Sequence, residues 1–305
     1  MEFFNPNSKI DFMGARYWTA AFSILVFVVS LSALYIYGLK WGLDFTGGTQ
    51  IEVSFPESAD LAKIREDLYK ADFKEAQVVS YGTSRDVLIS IGPRVDIDQT
   101  ELVNRVLKQL PGAVSKRVDY VGPQVGQELA TKGILAIIVS LLATMIYIAM
   151  RFEYRLAVSS AVALIHDPVL ILGVFALFGF EFDLKALAGL LAVIGYSLND
   201  TIVVFDRVRE NFIKLRRSDT IEIMNISINQ TLSRTIMTSV LTLFVVVALF
   251  VYGGETIRGF SLALIIGIVI GTYSSIYVAG ALAVSMGLNR RDFLPTSNKI
   301  IDDRP

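Results

Sequence analysis

The 305-residue sequence contains no cysteine and one histidine, His166. The first absence excludes disulfide scaffolds, thiolate metal sites and cysteine nucleophiles, and the second excludes a multi-histidine metal centre. Charge is scarce as well: Asp, Glu, Lys and Arg make up 19% of the residues, against about 25% in a soluble domain. Basic and acidic groups nearly cancel, 28 against 29, which argues against a generally basic nucleic-acid binder or an acidic disordered tail. Apolar residues fill the space, at 53% with a mean hydropathy of +0.54. That balance is the one a membrane protein shows.

Crossing the hydrocarbon layer takes about 20 predominantly apolar residues. Six runs meet the requirement: Tyr17–Leu39, Gly133–Met150, Leu156–Gly179, Ala186–Phe205, Thr235–Tyr252 and Gly259–Met286. The apolar part of the first run is longer than a secretory signal core, so it is expected to stay as an uncleaved anchor. Orientation follows from Lys and Arg in short loops and tails. One set holds Lys9, Arg16, Arg151, Arg155, Arg207, Arg209, Lys214, Arg216, Arg217, Arg234, Arg290, Arg291, Lys299 and Arg304; the opposite short loops hold only Lys185 and Arg258. Both termini are therefore expected in the cytoplasm, with the long insert outside. The expected layout is a cytoplasmic N-terminus (1–16), a first span (17–39), an outer domain (40–132), five spans (133–286) with a cytoplasmic loop at 206–234, and a cytoplasmic tail (287–305).

The insert is too polar for lipid and long enough for a small core of its own. Thr49–Phe55 alternates as a strand does, and Pro56 ends it. Leu61, Ile64 and Leu68 share one helical face within Ser58–Lys70, for which Ser58 is the expected N-cap. Strands at Gln77–Tyr81 and Val87–Ile91 flank a turn at Gly82–Asp86; a helix at Asp98–Leu110 and a strand at Ala113–Val121 follow. This order suggests a small α+β, ferredoxin-like unit outside an α-helical polytopic membrane protein.

Ionisable groups within the membrane cost several kcal/mol, so each is a functional candidate. The third run carries His166-Asp167-Pro168, the fourth Asn199-Asp200-Thr201, and Arg234 opens the fifth. Asp200 lies six residues before Asp206-Arg207, roughly 9 Å inside the edge of the hydrocarbon. The Arg234 side chain can reach a similar depth, so the two can meet across helices and exchange a proton between states; a static ion pair, or an arginine that only snorkels, is the alternative. Pro168 is expected to kink or interrupt its helix, with Asp167 capping the new start, while His166 could serve as a relay. Asn199, Thr201, Thr238 and Ser239 can hold water or bond between helices. Gly267 and Gly271 form a packing face on the last run.

Two glycine-rich segments flank the insert, Gly42-Leu43-Asp44-Phe45-Thr46-Gly47-Gly48-Thr49 and Val121-Gly122-Pro123-Gln124-Val125-Gly126-Gln127-Glu128-Leu129. Neither has the Gly-Lys-Ser/Thr ending of a phosphate-binding loop. They are expected to be turns or hinges at the domain base, with Gly42, Asp44, Gly47, Gly48, Gly122 and Pro123 as the principal positions. No cofactor and no metal is expected. The Arg207–Arg217 cluster suits contact with anionic lipid.

Taken together, Gly42–Gly48, Val121-Gly122-Pro123, His166-Asp167, the run Gly195–Arg207 and Ser233-Arg234-Thr235 resemble the SecD/SecF family of the bacterial Sec protein-export machinery, within the resistance-nodulation-division superfamily. The resemblance covers nearly the whole chain. It implies a six-span partner, SecD, in a twelve-helix assembly in the bacterial inner membrane. It further implies use of the proton motive force to pull unfolded polypeptides outward after the SecYEG channel and SecA motor begin transfer. The positions matching the family's proton pathway are Asp200 and Arg234. No enzymatic activity is expected. Two other functions compete with this reading. A self-sufficient proton-coupled exporter of small molecules or lipids would need a homo-oligomer, and an intramembrane aspartyl hydrolase would need Asp167 and Asp200 at one depth. Asp167 lies eleven residues into its helix, roughly 16 Å, which places the carboxylates at different levels.

Overall fold

The computed structural model describes residues 9–94, 97–215 and 218–293. Arg216, Arg217, Lys299 and Arg304 of the basic set lie outside the described residues.

Six helices are long and apolar enough to cross a membrane. The first spans Met13–Ile36, most of it α1 (Arg16–Ile36). Then come α5 (Pro123–Arg151), α6 (Tyr154–Phe178), α7 (Leu184–Lys214) and α8 (Thr220–Tyr252). The last crosses as Glu255–Ser285, made of α9 (Arg258–Tyr273), a π-helical segment Ser274–Ala279 and α10 (Gly280–Ser285). Helices α6, α7 and α9 form the interior and α1, α5 and α8 the periphery. Gly267 and Gly271 serve packing: a Cβ at Gly267 would meet Val193 Cγ2 at 2.1 Å and one at Gly271 would meet Ser197 Cβ at 3.0 Å. That close approach is why α7 and α9 make the most extensive helix pair.

The helices exceed the apolar runs. The loop expected at 206–234 is a helical hairpin instead: α7 continues to Lys214 and α8 starts at Thr220. Its polar residues hide an amphipathic pattern, with Val208, Phe212, Ile223, Met224 and Ile228 in one buried cluster. Asn211 fastens the hairpin by donating to Ser227 Oγ (2.8 Å) and Gln230 Oε1 (3.0 Å). Hydropathy stops where the membrane stops, whereas the helix stops only where its packing does.

Between α1 and α5 lies an α+β domain. After a two-residue strand β1 (Lys40–Trp41) and a helical turn α2 (Leu43–Thr46), it runs β2 (Gly48–Ser54), α3 (Leu61–Lys70), β3 (Gln77–Tyr81), β4 (Thr83–Ile91), α4 (Gln99–Lys108) and β5 (Val114–Val121). The sheet order is β3-β4-β2-β5, with every pair antiparallel. Alternation in β2 puts Ile51 and Val53 beneath Ile64, Leu68, Leu102 and Val106 of the two helices. Two local expectations are corrected. The N-cap of α3 is Asp60, whose carboxylate accepts from the Ala62 and Lys63 amides at 3.0 and 3.2 Å; Ser58 donates to Ser84 O instead. The turn expected over Gly82–Asp86 shrinks to Gly82, at φ 75°, because Tyr81 already pairs with Thr83.

Asp86 accepts from Lys116 Nζ and Thr83 Oγ1, both at 2.7 Å, tying β4 to β5. These donors hold its carboxyl well below the usual aspartate range. A folded-state value below the unfolded one means stability that is present at neutral pH and lost as pH falls past about 4. Protection of the β4 and β5 amides from exchange in the full-length protein, taken relative to the intrinsic rate at each pH, is expected to fall on going from pH 7 to 3. In Asp86→Asn that acid-dependent loss of protection disappears; an unchanged acid response would refute the assignment.

Candidate functional site

Three features of the interior converge near its middle. On α7, Ser197, Asp200, Thr201 and Val204 recur at helical spacing and are buried. On α6, Pro168 sits inside a helix that remains continuous, so the expected interruption does not occur, and Asp167 does not cap a new start. The freed side chain instead reaches across: Asp167 Oδ2 accepts from Ser197 Oγ of α7 at 2.5 Å and from Ser274 Oγ of the π-helical segment at 2.8 Å. Its Oδ1 lies 3.0 Å from His166 Nδ1, and the His166 ring stacks on Phe27 of α1, centroids 5.9 Å apart. A buried carboxylate with several donors is the arrangement burial demands.

Asp200 is served far less well. It is 3% exposed, yet its one side-chain hydrogen bond among the described residues is a long one, from Ser239 Oγ of α8 at 3.5 Å. Ser239 in turn shares a hydrogen bond with Thr272 Oγ1 of α9 at 2.8 Å and receives one from Tyr196 OH at 3.3 Å. Thr201 and Ser275 hydroxyls meet at 2.9 Å. Carboxylates and hydroxyls thus link α6, α7, α8 and the last span through a buried core. The π-helical segment makes this possible, since its extra residue per turn carries both Ser274 and Ser275 inward.

The expected Asp200–Arg234 ion pair is not formed. Arg234 is exposed, and it stands five residues from Ser239, roughly 7.5 Å along α8; its charge acts on Asp200 through space only. Asn199 is also exposed, so it stands apart from the network, while Thr201 is part of it. Asp167 bonds to Ser197, one turn from Asp200, and the two carboxylates do not touch. Thr238 bonds back to Arg234 O and Thr235 O within its own helix. Ser197, Ser274, Ser275, Thr272 and Tyr196 were not singled out by sequence. The usable signal was Ser197 at i−3 from Asp200 and a Ser-Ser pair inside an apolar run.

All six domain-base positions meet in one joint. Gly42 caps α2 and donates to Phe182 O beside a parallel ladder between β1 and β6 (Glu181–Phe182). Asp44 accepts from Leu184 N at 3.1 Å. Gly47 and Gly48 have φ of 69° and 124°, angles that favour glycine. Gly122 caps α5 and Pro123 opens it, where a Cβ on Gly47 would meet Pro123 Cα at 2.9 Å. Burial pushes the Glu181 and Asp183 carboxyls at this joint above the usual range, against the opposing pull of Lys40 on the first and of the Ala186 amide and Lys185 on the second. Closure of the joint is therefore favoured at low pH, near the open-state values of 4.5 and 3.8, and loses support as pH rises through the raised values. Exchange of the Gly42 and Leu184 amides, corrected for intrinsic rate, is expected to be slower at pH 5 than at pH 8; the reverse order would show that these carboxyls do not control the joint.

The description "Protein export membrane protein SecD/SecF, C-terminal" fits residues 103–289, and "SecD/SecF GG Motif" fits residues 32–55. The first holds the buried network and the second holds Gly47-Gly48. Proteins named "Protein translocase subunit SecF" from Vibrio alginolyticus and Pseudomonas aeruginosa are 48% and 45% identical, aligned over 94% and 97% of this chain and 92% and 98% of theirs. Among solved structures, SecDF from Thermus thermophilus, described as a translocon-associated membrane protein, superposes with a TM-score of 0.85 at 36% identity. That alignment covers 93% of this chain and 39% of the other, so the chain spans about two fifths of that protein. With the glycine joint and the helical core both matched, and relatives aligned over nearly their whole length, the chain belongs to the SecD/SecF family of protein export membrane proteins.

Proposed function

We propose that the chain is the proton-coupled accessory subunit of a Sec-type preprotein translocase, acting with a SecD-type partner in the bacterial inner membrane. Both termini face the cytoplasm, and the α+β domain stands on the opposite side. The observation that carries this reading is Asp200: a carboxylate in the helical core whose one hydroxyl donor among the described residues is long. An ionised Asp200 demands further donors and a neutral one does not, so its protonation state is tied to how α7, α8 and α9 pack. The network through Thr201, Ser275, Ser274, Asp167 and His166 continues the polar route. Arg234 completes the cycle by approaching Asp200 in the ionised state, and Asn199 and Arg234 lie on surfaces that a six-span partner would cover. The glycine joint conveys the change in packing to the domain, which draws on an unfolded polypeptide delivered by SecA through SecYEG.

The test uses inner-membrane vesicles that contain the chain and its partner, with preprotein translocation driven by ATP. Stimulation by the pair is expected to vanish when a protonophore collapses the gradient at constant ATP. Equal stimulation with and without the gradient would overturn the coupling.

A further inference from the structure

An apolar cavity lies between α1, α6 and α10, apart from Asp200 itself and touching the polar network at His166. It has a volume of about 380 Å³ and is almost wholly apolar in lining. Arg16, Tyr17 and Ser285 stand at one end, and Phe27 and His166 at the other. Along α1 the lining residues fall at Arg16, Ala20, Ser23 and Phe27, one helical face that extends about 16 Å. Arg16 bonds to Met13 O and Tyr17 OH and makes no ion pair among the described residues. His166 is 6% exposed, its Nδ1 is held by Asp167, and its Nε2 has no partner among the described residues.

We propose that this cavity binds one acyl chain of an anionic phospholipid from the leaflet that Arg16 faces, with the lipid phosphate on the Arg16 guanidinium. An apolar cavity of this size does not hold ordered water, which needs two or more polar partners, and within a bilayer hydrocarbon is what can fill it. The length of the groove matches an extended acyl chain, and it opens sideways between two membrane-crossing helices. A basic group at the mouth of such a cleft selects an anionic headgroup over a zwitterionic one. Tyr17 beside Arg16 supplies an aromatic flank at headgroup level. The tail ends against the Phe27–His166 stack, where it keeps water from Nε2 and so closes the Asp167 network on that side. The site depends on the membrane placement and not on proton coupling, so the two stand or fall separately.

Native mass spectrometry of the full-length chain with its partner, delipidated in detergent, provides the test. Dioleoyl phosphatidylglycerol and dioleoyl phosphatidylcholine are the added lipids. The wild type is expected to retain one phosphatidylglycerol with about five- to tenfold preference over phosphatidylcholine. Arg16→Gln should abolish the preference, and Ala20→Phe, which fills the groove, should abolish retention of either lipid. Arg155→Gln, which removes a cation paired with Asp292 elsewhere on the same side, should leave the preference unchanged and guards against a general loss of positive charge. Partner association confirms that each variant is folded. Retention of detergent alone by the wild type would overturn the proposal. So would an undiminished preference in Arg16→Gln, or lipid retained by a folded Ala20→Phe.

Discussion

Asp200→Asn is expected to bring proton-dependent stimulation of export down to the level of vesicles without the complex, while insertion, folding and partner association stay intact. The replacement is nearly isosteric, and its carbonyl oxygen can still accept from Ser239. What it removes is the option of a charge. A field of 100 mV acting on one charge supplies about 2.3 kcal/mol, roughly a 50-fold bias on a two-state equilibrium; with asparagine at this position that bias falls to none. Proton flux and preprotein movement measured in the same vesicles should therefore fall together. Ser239→Ala offers a graded companion, because it deletes the hydroxyl donor to Asp200 and leaves the carboxyl in place. Full stimulation by a folded Asp200→Asn complex would remove Asp200 from the mechanism altogether.

The second large effect concerns stability at the domain base. A Cβ at Gly48 would stand 2.3 Å from Ile91 O, and the residue has φ of 124°. Gly48→Ala therefore combines a backbone clash with a disfavoured backbone angle, at a cost of about 3 kcal/mol. At Gly126 the helix geometry is ordinary, but an added Cβ would meet Gly47 N at 2.8 Å and Phe45 O at 3.1 Å. Gly126→Ala is expected to push α2 off α5 at about 1–3 kcal/mol. Gly122→Ala is the control: the nearest atom to its Cβ is Tyr120 OH at 3.8 Å, and it should alter stability by less than about 1 kcal/mol. Thermal unfolding, together with limited proteolysis near residues 40–48 and 121–126, separates the three. A Gly122→Ala effect as large as that of Gly48→Ala would mean that loss of flexibility, not close approach, governs the joint.

How much of this was legible before the fold follows from what each signal measures. The six spans were visible because hydrophobic length is set by the bilayer. Their ends were not, since Val208, Phe212 and Ile228 continue the helices by packing on one another. Asp200 was visible because an isolated carboxylate in an apolar run is costly wherever it lies. That Arg234 stands apart from Asp200 in this structure was not legible, because depth along two helices says nothing about rotation about their axes. Asp167 was read through its neighbour Pro168 as a local cap, yet its donors, Ser197 and Ser274, come from 30 and 107 residues away in sequence. Serines of that kind look like ordinary helix-packing residues until a carboxylate is placed opposite. In the α+β domain, Ser58 was read as the cap because the helix was placed too early; its first turn starts at Leu61, so Asp60 caps it.

The joint between β5 and α5 has a mechanical consequence. The strand ends at Val121 and the helix begins at Pro123, so Gly122 is the only residue between the sheet and a helix of 29 residues. There is no slack in such a connection. Helix α5 is a lever roughly 43 Å long with the sheet fixed to one end, and a tilt of about 5° within the membrane would sweep the domain end sideways by roughly 4 Å. A sub-ångström repacking around Asp200, if it leans on α5, would thus be magnified at the far side of the membrane by the rigidity of a single helix.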